Sequence, residues 1–326
     1  MRLERSECPA ALEVFGAGPG ADGARRGMVI AKLTYAFDAR GRVALDEEDP
    51  FEIFMADVPT PLGLLPSDDV DRRDGRFDVL LLGSATSPAR STTELVVKLS
   101  VGDVTGRLRV VGDRTVGADG RLSAPRPFTE MPLTWDRAFG GSAIVEIDHD
   151  SPVLVQELAN PLGRGLDVAA KARALADEFG CPPGFPRFDP VRRWPNVLPG
   201  DASDAGSVDP PAPVGWATRG VAQVSEPHFR GDPAWVFASA PPPGTPIVLE
   251  GLTPEGRVEL AVPSDRARFD YAIGDEDRTR ILRPTTLVLL PDERRFYVVH
   301  RLPFLVGDPE GLERRGVVRV MRGGVS

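Results

Sequence analysis

The apolar positions of this chain fall in short runs, and nearly all of them alternate or cluster as strands do rather than at helical spacing. Residues 28–37 (MVIAKLTYAF) predict a strand, 38–41 a turn, and 42–45 a returning strand. Residues 78–82, 94–101 and 107–111 predict three more strands, with a hairpin turn at 103–106. After residue 246 the pattern resumes at 247–250, 257–262, 286–290, 296–301 and 317–321, with turns at 253–256 and 291–294. The Gly-rich stretch 16–27 predicts a turn region. Between 125 and 213, Pro and Gly break every apolar run. One helix is predicted there, over 166–179, ended by Gly180 with Pro182 and Pro183 beyond it. The expected fold is mainly β, with two β-rich lobes of mostly antiparallel strands and a loop-rich middle carrying that helix. The corresponding divisions are 1–124, 125–245 and 246–326, or one continuous domain.

Composition sharpens this. The 326 residues include 34 glycines and 33 prolines. That is about one residue in five, below the roughly 25–30% of low-complexity chains but too dense for a helical bundle. The net charge of −9 disfavours a nucleic-acid partner, which needs a basic surface. The cations are nearly all arginine, the lysines being Lys32, Lys98 and Lys171. Cys8 and Cys181 are too few for a disulfide framework or a cysteine zinc site. The N-terminus shows no apolar leader segment and no run has the length of a membrane helix, so a cytoplasmic protein without membrane contact is expected.

Catalytic signals are sparse. Gly16-Ala17-Gly18-Pro19-Gly20 is followed by a strand instead of the helix that a phosphate loop requires. Glu146-Ile147-Asp148-His149-Asp150 on a strand would set three carboxylates on one face, a possible cation site. A metal-dependent hydrolase would draw on Asp148, His149 and Asp150 with His228 or His300. There is no Gly-x-Ser-x-Gly elbow, His-Glu-x-x-His pair, Walker loop or Cys-x-x-Cys, so no catalytic residue, metal ligand or cofactor is assigned and a non-enzymatic role is expected. A structural β-module of a larger assembly is the other alternative. The chain's only two asparagines, Asn160 and Asn196, both lie in unusual loop segments: Asn160-Pro161-Leu162-Gly163-Arg164-Gly165 and Trp194-Pro195-Asn196-Val197. With Leu133 to Gly141, these loops offer Trp135, Arg137, Phe139, Gly140, Gly141, Asn160, Arg164, Trp194 and Asn196 as a candidate partner surface or its brace.

The order of segments carries a resemblance. Arg137-Ala138-Phe139-Gly140-Gly141, Asn160 to Gly165, Pro195-Asn196-Val197 and Pro211-Ala212-Pro213-Val214-Gly215 resemble a bacterial family catalogued as domain of unknown function twenty-one sixty-nine. Asp78 to Gly83 upstream, and Phe237 to Pro242 with Leu252 to Gly256 downstream, fit the same family. His300-Arg301 stands where the family commonly has Trp-Arg. The resemblance implies a role in type VI secretion, as an adaptor or chaperone that binds a toxic effector and loads it on the spike. The implied partners are a secreted effector, a spike protein, or both.

Overall fold

The computed structural model describes residues 2–19, 25–54, 58–61, 63–65, 77–113, 123–134, 139–140, 142–148, 151–156, 164–165, 235–273, 276–306 and 315–323. Within them the protein is mainly β, and its one helical turn is the 3-10 segment Pro291–Glu293. The expected helix at 166–179 lies outside the described residues.

A seven-stranded sheet organises the molecule. Its order is Val236–Phe237, Phe77–Leu81, Arg283–Leu290, Arg295–Val306, Arg25–Phe37 and Ala10–Pro19, with Val43–Leu45 also paired to Arg25–Phe37. Phe77–Leu81 runs parallel to Arg283–Leu290, and the other pairings in this sheet are antiparallel. Strands from the two ends of the sequence therefore share one sheet. The central strands are apolar at successive positions because both faces are covered. Val29, Ala31, Leu33 and Tyr35 point into the main core, whereas Ile30, Leu80, Val288 and Tyr297 form a second cluster under Phe51, Ile53 and Phe54.

A second sheet, ordered Val104–Val111, Glu94–Val101, Pro246–Glu250 and Arg257–Ala261, adds to the main core. On Arg257–Ala261 the alternation is strict: Val258 and Leu260 are buried, while Arg257, Glu259 and Ala261 are exposed. Its outer face carries a charge ladder in which Arg109 pairs with Glu94, and Lys98 and Arg257 both reach Glu250. Such exposed pairs contribute little stability each but keep the face soluble. A third sheet is ordered Arg2–Ser6, Arg315–Met321, Arg266–Ile273 and Glu276–Ile281. Ala267, Phe269 and Val318 bind it to the core, while Asp270 on its other face accepts from Arg268, Arg319 and Thr279.

Several local expectations are corrected. Residues 16–19 are not a turn but the end of the strand Ala10–Pro19, which pairs across an irregularity between Phe15 and Pro19. Small residues allow that extension, and an edge position lets Pro19 forgo a ladder bond. The hairpin turn falls at Gly102-Asp103, not 103–106, because Val104 already pairs with Val101. Gly102 has φ +56° and Asp103 is not in the left-handed region, the pattern of a two-residue turn with glycine first. Glu276–Ile281 was not expected as a strand because it is exposed along its whole length and so carries no apolar alternation.

The turn at 38–41 forms as expected, and Asp38 Oδ1 accepts from the Arg40 and Arg42 amides. Gly41 has φ +78°, and a Cβ there would stand 1.9 Å from the Glu259 carbonyl oxygen. This contact seats the turn against the second sheet. Gly41→Ala is expected to cost roughly 2 kcal/mol in urea unfolding through backbone strain and the clash, with no loss of a side-chain contact. An unchanged unfolding midpoint would refute the close approach.

Candidate functional site

The two most distinctive loop segments meet. Phe139–Gly140 pairs in parallel with Arg164–Gly165, with Phe139 opposite Arg164 and Gly140 opposite Gly165. This pairing brings together four of the residues named from the sequence or adjoining them, from segments separated by the hairpin Ser142–Asp148 and Ser151–Gln156. Trp135, Arg137, Gly141, Asn160, Trp194 and Asn196 lie outside the described residues.

The acidic stretch is described only as far as Asp148. Its strand ends at Asp148, which pairs with Ser151, and the register shifts between Glu146 and Asp148. The expected face of three carboxylates includes Asp150, and so falls partly outside the described residues. His149, Asp150 and His228 lie outside the described residues. Among the described residues no group of three or more His, Cys, Asp or Glu is placed to hold a metal ion. Also among them, no helix is long and apolar enough to cross a membrane.

What the sequence reading missed is a set of buried polar groups on the central sheet. Asp78, Thr286 and Lys32 stand in register across four strands, with the apolar Val299 between Thr286 and Lys32. All four are buried, on the face that carries Leu80, Val288 and Tyr297. Lys32 Nζ donates to the Glu52 carbonyl at 2.6 Å and sits 3.5 Å from the centre of the Phe54 ring and 4.4 Å from that of Tyr297. The Phe51 amide donates to Thr34 Oγ1 at 2.8 Å, and Arg295 stacks on Phe51 while pairing with Asp46 and Asp49. Residues 46–54 are thus strapped across the sheet by side chains that read, in sequence, as interruptions of an apolar strand. Burial of a cation demands such a set of partners.

His300 and Arg301 are neighbours on one strand, and both are buried. Arg301 Nη1 donates to Thr285 Oγ1 and lies 3.5 Å from Thr286 Oγ1. Thr285 is the extra residue where the register shifts between Pro284 and Thr286, and its hydroxyl donates to the Val299 carbonyl at 3.2 Å. The bulge thereby aims a hydroxyl at a buried guanidinium. His300 instead lines a small cavity of about 20 Å³ between the central sheet and residues 240–241 and 262–266. Tyr35, Asp265 and Arg266 also line it. Burial, and then the nearby Arg266 charge, lowers the His300 pKa to about 3, so the ring is neutral at physiological pH. Tyr35 hydrogen-bonds Asp265, and burial followed by that carboxylate's charge raises its pKa well above the ordinary phenol value. Cys8 is buried too, and its thiol is pushed up to about 11 by burial, which suppresses thiolate chemistry.

A family model described as an uncharacterized protein conserved in bacteria matches residues 22–222 and 222–301. No curated protein and no solved structure matches the chain.

Proposed function

The chain belongs to the DUF2169 family of bacterial proteins, and from that premise we propose that it is a non-enzymatic adaptor of type VI secretion. It binds a secreted effector in the cytoplasm and helps load it on the spike. The observation that supports this most is the backbone pairing of Phe139–Gly140 with Arg164–Gly165. It sets the backbones of two segments side by side, and the sequence around them carries Trp and Arg, residue types in which binding hot spots are enriched. A standard recognition patch buries about 800 Å² per partner, and ordered loops on a rigid β scaffold suit that task. The large, doubly covered central sheet supplies the scaffold.

The test is a tagged pull-down from the native host with mass spectrometry, followed by titration of the captured partner against Arg164→Ala and Trp135→Ala. Recovery of a toxin encoded beside this gene, or of a spike protein, is expected. Each substitution should then weaken binding by about 30-fold, equivalent to roughly 2 kcal/mol, with thermal stability unchanged. Recovery of neither partner, with a stoichiometric metal ion in the purified protein, would overturn the adaptor reading in favour of a metal-dependent hydrolase.

A further inference from the structure

We propose that the cavity beside His300 is a binding site for a single ordered water molecule. His300 is 1% exposed, and among the described residues its Nδ1 has no hydrogen-bond partner. A buried polar atom of this kind is costly unless something satisfies it. The same side chain lines the cavity of about 20 Å³. About 10–15 Å³ of such space admits one water, so this cavity accepts a water and excludes an organic substrate. Most of the lining is apolar, Phe77, Ile247, Val262, Leu287 and Val298 among it, and its polar members are His300, Tyr35, Asp265 and Arg266. Tyr35, Asp265 and Arg266 supply the further donors and acceptors that an internal water requires.

The site's position gives it a structural part. Tyr35 comes from the strand Arg25–Phe37, His300 from Arg295–Val306, and Asp265 from the segment leading into Arg266–Ile273. Asp265 is itself tied to the third sheet's far end, because its Oδ1 accepts from the Gly323 amide at 3.1 Å. A water hydrogen-bonded to His300 Nδ1 and this rim joins the central sheet to the third sheet where side chains alone leave Nδ1 unmatched. The water also satisfies a neutral imidazole without requiring it to ionise.

The experiment is water-¹⁷O magnetic relaxation dispersion on the full chain and on His300→Phe and His300→Asn, with a high-resolution crystal structure of the unaltered protein. The phenyl ring removes the polar atom, while the asparagine amide keeps one near the Nδ1 position. We expect the long-lived water signal to fall by one molecule in His300→Phe and to persist in His300→Asn, with density in the cavity of the unaltered protein. Equal signals from the unaltered protein and His300→Phe would overturn the proposal. So would a dry cavity in the crystal, which decides the matter even if the phenylalanine variant fails to fold.

Discussion

Lowering the pH from 6.5 toward 3 is expected to remove roughly 5 kcal/mol of folding stability through His300 alone. The folded pKa of about 3 lies below the ordinary value of 6.5, so the unfolded chain takes up the proton first. Above pH 6.5 both states are neutral at this position and the contribution is flat. Between the two values stability falls as pH falls, at about 1.4 kcal/mol per pH unit, and below pH 3 the contribution is flat again. Arg294 bonding to Glu255 lowers that carboxyl's pKa, which adds loss in the same direction. Asp270 does likewise: its burial opposes the shift, but bonds from Thr279 and Arg319 outweigh it. The His300 share is isolated by comparing urea unfolding of the unaltered protein and His300→Phe at a series of pH values. The variant should show a slope shallower by about 1.4 kcal/mol per pH unit across pH 4–6. Parallel slopes would mean that the imidazole titrates normally in the folded protein.

Truncating Lys32 is the second large effect. Lys32→Ala is expected to destabilise the protein by roughly 3–5 kcal/mol, because it opens a cavity under Phe54 and Tyr297 and leaves the Glu52 carbonyl unmatched. Lys32→Met keeps most of the stem's volume and its contact with both rings. It forfeits the hydrogen bond to Glu52 and the cation–π attraction, so a cost of about 1–2 kcal/mol is expected, below that of the alanine. The comparison separates packing from charge. Equal losses in the two variants would mean that the ammonium, and not the stem, holds residues 51–54 to the sheet.

The sequence made the strands with strong apolar patterns readable: residues 94–101 form the strand Glu94–Val101, and 28–37 lie within Arg25–Phe37. Periodicity works there because burial of one face or both leaves a direct mark on residue type. It failed for Glu276–Ile281, whose place comes from backbone pairing to Arg266–Ile273 and not from its side chains. It failed again at Ala10–Pro19, where glycine and proline read as a turn but tolerate an extended edge. The candidate site divides the same way. The likeness between the Phe139 and Arg164 segments and the family's motifs was visible in one dimension, but their pairing was not. Lys32, Asp78 and Arg301 gave no signal as a buried set, because they are far apart in sequence and only the strand order brings them into one sheet. His300 stood out in the sequence as a candidate hydrolase ligand, and the structure buries it. Its unmatched Nδ1 depends on the detailed course of residues 262–266, which no local pattern specifies.

The joining of distant strands has a consequence for synthesis on the ribosome. Arg25–Phe37 pairs along most of its length with Arg295–Val306, and Phe77–Leu81 lies beside Arg283–Leu290. The middle of the largest sheet stays unfilled until residues 283–306 have emerged. Until then the early strands expose apolar faces and unmatched backbone, the state most open to aggregation and to chaperone capture. Such remote pairing also makes for slow closure. Translation halted before residue 283 should therefore release a protease-sensitive chain, and the native fold should appear only as the final hairpin is delivered.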